Sequence, residues 1–291
     1  MSWSFFLQQA IGGLSYAMTL FLIAAGLSLI LGVMGIVNFA HGSLYMIGAY
    51  LTWWISTSLG AGFWVAVLCS MLAVGLIGLV MQRYLISRLY GKQELQLLFT
   101  FAFVLIFGDA LKMAFGVMPQ GVAYPTILQG VVHFAGTRFP LYNLFLIILG
   151  PIVALLLHLG ERRTRVGRVV RAAASNREMV TTLGINVHSV FTVVFGLGAL
   201  LAGLGGALAA PTTSVAPGMD VPVVLPAFVA VVVGGLGSFG GTFLACLIIG
   251  QVQVFGILWL PQLAEAFQFI LMALVLAIRP WGLSNKPLRA S

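Results

Sequence analysis

Nine apolar runs follow one another along the chain, and most are about as long as a helix crossing a lipid bilayer. They cover residues 11–33, 41–58, 62–82, 97–117, 140–159, 190–210, 222–236, 240–258 and 262–279. A spanning helix needs about 20 predominantly apolar residues. The runs lack the alternating pattern of about ten residues that marks a membrane barrel strand. They therefore predict an all-α, polytopic integral membrane protein. Composition agrees: 61% of residues are hydrophobic and 7% are charged, whereas a soluble domain carries about 25% charged residues. Run 222–236 is short for a span, so the expected count is eight or nine transmembrane helices.

The charges predict an orientation. The chain has 14 Lys and Arg. Six lie between Arg162 and Arg177, three are Arg83, Arg88 and Lys92, and three are Arg279, Lys286 and Arg289. Short basic loops between apolar spans are the positive-inside signature of cytoplasmic loops, and they suit anionic lipid headgroups rather than nucleic acid. Nine crossings put all three clusters on one side, with the amino terminus outside and the basic carboxyl terminus inside. The opening "MSWSFFLQQAIGG" has no Lys or Arg, which argues for a retained helix over a cleaved signal peptide. One transmembrane domain over 1–291 is expected, with a cytoplasmic loop at 161–189 and a cytoplasmic tail at 280–291.

Two breaks between runs carry no charge. In "GVMGIVNFAHGSLYMIGAY" (32–50), Asn38 and His41 stand between Gly35 and Gly42, followed by Ser43. A second break contains "GGLGSFGGTF" (234–243), with Gly234, Gly235 and Gly237. The two share a glycine, a second glycine seven residues on, and then a hydroxyl. Each reads either as a turn at the membrane surface or as an unwound segment within the membrane, of the kind transporters carry in pairs. In the second reading, Asn38 caps the following half-helix or bonds freed backbone groups.

No enzyme constellation is visible. There is no GxxxxGK[ST] loop for nucleotide and no HExxH. The four histidines have no ligand spacing, and "GSFGG" lacks the GxSxG spacing of a nucleophile elbow. Cys69 and Cys246 lie in apolar runs and read as inert buried thiols. No cofactor is expected. Asp109 and Lys112, three residues apart in the fourth run, read as an ion pair near the outer end, and Glu265 as an interfacial residue. A proton- or sodium-coupled carrier normally keeps carboxylates at mid-membrane, and these runs hold at most one candidate.

The long basic segment "ERRTRVGRVVRAAASNREMVTTLGINVHSV" (161–190) contains a short helix in its second half. Ser175 or Asn176 caps it, Glu178 lies in its first turn and Gly184 ends it. A rigid capped helix between two spans is a docking element for a soluble partner.

Glu178 and Gly184 match the E-A-A-x-x-x-G spacing by which permeases of ABC importers contact their ATPase, with Met179 and Val180 in place of the alanines. "GVMGIVNFAHG", "VGRVVRAAASNRE", "LGINV", "VVVGGLGSFGG" and "RPWGL" follow in order over residues 11–285. Together they resemble the LivH-type permease of branched-chain amino acid ABC importers. The resemblance implies a bacterial inner-membrane subunit without its own ATPase. Its partners would be a homologous second permease subunit, two ATP-binding subunits and a periplasmic solute-binding protein. The substrate would be a branched-chain or other amino acid, with urea or a short amide as alternatives, and a stand-alone carrier or channel as the rival class. In that family, segment 172–186 would couple to the ATPase through Arg171, Glu178, Thr182, Gly184 and Asn186. Asn38, His41, Gly42, Ser43, Gly234, Gly235 and Gly237 would mark the path or its helix breaks. The residue after "NFAHG" is often acidic in that family and is Ser43 here, which puts the substrate in question.

Overall fold

A computed structural model describes residues 3–134 and 137–284. Each of the nine predicted runs forms a helix. In chain order these are α1 (Trp3–Met34), α2 (Ala40–Trp53), α3 (Phe63–Val80), α4 (Gln93–Phe115), α5 (Leu141–Arg163), α8 (Val187–Ala209), α9 (Val221–Gly234), α10 (Phe239–Trp259) and α11 (Ala264–Ile278). Two shorter helices, α6 (Arg165–Ser175) and α7 (Arg177–Thr182), lie between α5 and α8. α2 continues to Ser58 through a looser π turn, and α3 to Leu89 through a π turn and then a tighter 3-10 turn. Among the described residues, seven helices are long and apolar enough to cross a membrane; α9, at 14 residues, is shorter. α2 is rich in small and polar residues. Protein surrounds it, so it has no need of a lipid-facing surface.

Burial sorts the helices into an inner and an outer set. The spanning windows of α1 and α8 are 78% and 72% buried, whereas those of α4, α5 and α11 are each 11% buried. The inner helices approach closely through small residues, as lipid-embedded helices must when no water drives them together. A Cβ on Gly206 of α8 would lie 1.9 Å from the Tyr45 carbonyl oxygen of α2. α2 packs on α8, α3, α4 and α9, and α1 packs on α10, α8, α5 and α9.

The basic clusters gather at one end of the bundle. Lys92 and Arg177 line the same cleft as Met34, the last residue of α1. Gly282, just past Arg279, lies against Gly235, and Gly237 lies against Gly32 in the last turn of α1. Lys286 and Arg289 fall outside the described residues. At the opposite end the 116–140 connection is more ordered than its Gly and Pro content suggests. Val131–Phe134 and Thr137–Pro140 form an antiparallel hairpin with Val132 opposite Phe139, consistent with β-branched and aromatic residues on a small sheet. Gln120 and Val215 exchange backbone hydrogen bonds at 2.8 and 2.9 Å, tying this connection to the one before α9.

Candidate functional site

The first break is real and turns inward. α1 ends at Met34, Gly35 takes φ +66°, and helix resumes at Ala40. Asn38, His41 and Ser43 are all fully buried. His41 Nε2 lies 3.0 Å from the carbonyl oxygen of Ile23 on α1. Ile23 precedes Met34 by 11 residues, about 16 Å along a helix axis. The chain therefore runs back along the bundle before α2 begins. The Phe39 N–H donates to Thr100 Oγ1 of α4 at 3.4 Å. Asn38 neither caps α2 nor bonds freed backbone. The N-cap position is Phe39, with no side-chain cap, and both polar side-chain atoms of Asn38 lack a partner among the described residues. An amide one position too early cannot reach the first free N–H groups of the helix.

The second break lies at the basic end. Gly235 (φ +97°) and Gly237 (φ +77°) separate α9 from α10, and Ser238 Oγ caps α10 by accepting from Gly241 N at 3.1 Å. A Cβ on Gly32 would lie 2.2 Å from the Gly237 Cα, so the break sits directly on α1. Gly234 packs against Thr242 and Gly241, and its carbonyl accepts from the Ser284 N–H at 3.3 Å. The repeated hydroxyls behave alike. Ser43 Oγ donates to Asp220 Oδ2 at 2.9 Å, and Thr242 Oγ1 to Ser28 Oγ at 3.2 Å. Each joins the helix after a break to a neighbouring helix.

Asp220 is the carboxylate that the sequence reading missed. It stands at the N-cap position of α9 and is 4% exposed. Gly42 makes the approach possible: a Cβ there would lie 3.1 Å from the Asp220 carbonyl oxygen and 2.9 Å from the Val224 side chain. The starts of α2 and α9 thus converge inside the bundle. From there α9 runs to the basic end, while α2 runs the other way, stacking Tyr50 and Trp53 around Phe115 at the far end of α4. In sequence, "PGMDVP" resembles an ordinary connecting turn, and only its acid among Pro and Gly between two apolar runs signals more. Asp109, in contrast, pairs with Lys112 at 3.0 Å with side chains 72% and 48% exposed, as expected. Glu265 is exposed in the first turn of α11. Cys246 is buried, but Cys69 is exposed on α3 because that helix turns part of its surface outward. Among the described residues no group of three His, Cys, Asp or Glu side chains is placed to hold a metal ion.

The predicted docking helix is α7, six residues long. Ala172–Ser175 belong to α6 instead, whose N-terminus Thr164 caps through Gly167 N at 3.0 Å. Asn176, rather than Ser175, caps α7, with Oδ1 accepting from Met179 N at 2.9 Å. Thr182 Oγ1 donates back to the carbonyls of Met179 (2.8 Å) and Glu178 (3.2 Å), and Gly184 leaves the helix at φ +78°. Asn186 is the cap of α8, accepting from Ser189 N at 3.2 Å. Arg171 donates to the Glu161 carbonyl of α5. Glu178, Met179 and Leu183 are exposed, so α7 offers an open surface.

Arg177, the first residue of α7, faces the other way. Its guanidinium donates to the Met34 carbonyl oxygen and lies 4.8 Å from the centroid of the Phe191 ring on α8. Phe191 meets Tyr90 edge-on at 5.6 Å, and Gln82 donates to the Tyr90 hydroxyl. Burial pushes the Tyr90 hydroxyl up to about 12, despite the opposing pull of the Arg177 charge and the Gln82 hydrogen bond. Arg177, Met34 and Tyr90, together with Gly35, Ile36 and Glu94, line a cleft of about 590 Å³ at the foot of the first break.

The family described as branched-chain amino acid transport system permease component matches residues 9–278. The chain is 30% identical to the high-affinity branched-chain amino acid transport system permease protein BraD of Pseudomonas aeruginosa, covering 97% of this chain and 96% of that protein. It is 28% identical to LivH of Escherichia coli K12, a permease protein of the same description, with the same coverage. A more distant similarity, 29% over 55% of this chain and 45% of the relative, links it to the ribose import permease protein RbsC of Escherichia coli. No solved structure matches.

Proposed function

We propose, because the chain belongs to the family of branched-chain amino acid transport system permease components, that it is the membrane-spanning subunit of an ATP-driven amino acid importer. In this reading it sits in a bacterial inner membrane as a single transmembrane unit, with the basic end in the cytoplasm and the amino terminus outside. It pairs with a homologous permease subunit, receives two ATP-binding subunits at the basic end, and receives a solute-binding protein at the opposite end.

The observation that carries the reading is α7, which is open to a partner on one face and held to α1 through Arg177 on the other. ATP binding draws the two ATPases together, and α7 moves with the groove that holds it. Glu178, Thr182 and Gly184 shape that helix, while Arg171 and Asn186 fasten its flanks to α5 and α8. Displacement of α7 reaches the end of α1 and the break at 35–39. There, rigid helices separated by glycine breaks move as bodies, and the path alternates between the two sides. Asn38, His41, Gly42 and Ser43 at the first break, and Gly234, Gly235 and Gly237 at the second, are the residues we assign to the path and its hinges. Most solute selectivity would rest with the binding protein, so urea or a short amide is the alternative substrate class.

The test is uptake by the reconstituted complex. Glu178→Arg and Gly184→Trp should abolish ATP-driven uptake while the subunit still inserts. Uptake at the wild-type rate would refute the coupling assignment. Transport by the purified chain alone would favour a stand-alone carrier.

A further inference from the structure

The apolar face of α6 is only half covered. Val166, Val169, Val170 and Ala173 recur at helical spacing, Arg168 and Arg171 lie on the opposite side, and Arg165 stands at the boundary. Val170 and Ala173, in the second half, are buried in the bundle. Val166, in the first turn, is 55% exposed, and Val169 is half-buried.

Against this uncovered half lies an open groove of about 320 Å³ between α6 and α8. Val166, Val169 and Val170 form one wall, and Val190 and Val193 form the other. Arg165 and Ser189 are its polar lining residues. From the groove an apolar stripe continues along α8, where Val193 and Leu197, one turn apart, are both exposed. α8 is long and apolar enough to cross the membrane, so the stripe leads from the basic end into hydrocarbon depth.

The charge around the groove has one sign. Arg162 and Arg163 close α5, Arg165 and Arg168 follow in α6, and all four are exposed. Glu161 is the only acid between Gly160 and Arg177, and none of these groups forms an ion pair among the described residues. Guanidinium groups crowded in this way repel one another and attract an anion. Each matches a phosphate with two parallel N–H donors. A soluble partner could bring acids to the arginines, but it could not cover a stripe that enters the membrane. A phospholipid does both.

We propose that one anionic phospholipid of the surrounding bilayer occupies this site. An acyl chain lies in the valine groove and along Val193 and Leu197, and Arg165 and Arg168 hold the phosphate. An anionic headgroup is favoured over a zwitterionic one because each arginine near the surface gains from net negative charge. Asn176 both ends α6 and caps α7, so the lipid braces the helix from which α7 projects. The proposal needs membrane insertion alone and does not depend on the importer reading.

The experiment titrates the complete complex in detergent with phosphatidylglycerol or phosphatidylcholine of identical chains and counts bound lipid by native mass spectrometry. Variants in this chain report on this site. The wild type should bind phosphatidylglycerol more tightly. Arg165→Gln with Arg168→Gln removes two charges and should weaken that binding roughly 30-fold. Val193→Trp fills the groove and leaves every arginine in place. It should weaken binding about 10-fold, as expected when two chain methylenes lose apolar contact. Val166→Trp, at a more exposed position, repeats the test if Val193→Trp fails to assemble. Equal affinity of the wild type for the two lipids would overturn the headgroup assignment. Unchanged affinity in an assembled groove-filled variant would overturn the site and leave only a basic surface. A groove-filled variant that sheds the ATP-binding subunits yet binds the lipid as the wild type does would also overturn it, and would make the groove a protein dock.

Discussion

Arg177 reaches back 143 residues to hydrogen-bond the carbonyl oxygen of Met34. That carbonyl belongs to the last turn of α1, where backbone acceptors have no partner within the helix. The same guanidinium lies over Phe191 of α8. One cation therefore joins the start of α7 to the end of α1, immediately before the first break.

Arg177→Ala should uncouple α7 from α1. Uptake by the reconstituted complex should fall about 10-fold, the lower range for a hydrogen bond from a charged donor, with the ATP-binding subunits still attached. Arg177→Lys keeps a donor for the carbonyl but not the planar stacking on Phe191, and should recover part of the loss. Equal loss in both variants would point to the ring contact instead of the carbonyl.

Asn38→Leu should make the protein more stable and less active. A buried amide without partners costs about 1–3 kcal/mol, and Asn38 is fully buried with both polar atoms unpaired among the described residues. Removing them should raise the midpoint of thermal denaturation in detergent, while uptake falls. A stabilised variant with full uptake would remove Asn38 from the path.

His41→Ala should act in the opposite sense on stability. It deletes a fully buried ring that meets the Ile23 carbonyl at 3.0 Å and leaves a cavity, at a cost of about 2–4 kcal/mol. The thermal midpoint should drop. His41→Gln, which retains a donor, should lose less.

Gly32→Val should disturb packing at the basic end. The first added carbon would already lie 2.2 Å from the Gly237 Cα, and overpacking of this kind costs about 1–3 kcal/mol. Gly237→Ala is strained for a second reason: φ +77° costs a side-chain-bearing residue about 1–2 kcal/mol. Thermal midpoints should fall in both. An unchanged midpoint in either would mean that the break shifts freely against α1.

Asp109→Asn with Lys112→Gln should leave uptake and stability nearly unchanged. The pair is exposed and adjacent on one helix face, and exposed ion pairs contribute little. A large loss of uptake would give that surface of α4 a role it does not have in the present reading.

Much of this architecture is written locally. The nine helices follow from run length and apolarity, and the ends of α7 from a capping amide at Asn176 and a positive-φ glycine at Gly184. The basic residues mark one end because charge in short loops obeys the membrane. These are properties of neighbouring residues, so a single sequence carries them. The sequence also located both breaks, through Gly35, Gly235 and Gly237, though not the direction in which the first one turns.

The pairings across the fold were invisible to that reading. Ser43 meets Asp220 across 177 positions and Gly32 meets Gly237 across 205, and nothing in the local pattern joins either pair. They depend on how closely α1, α2, α8 and α9 approach, which small residues permit but do not specify one by one. For the same reason Asp220 passed for a loop residue and Asn38 for a cap. Sequence alone determined that this chain forms apolar helices with two glycine breaks and one charged end. Only tertiary packing decided that the starts of two helices converge on a buried carboxylate, because helix crossings, unlike helix periods, are set by surfaces far apart in the chain.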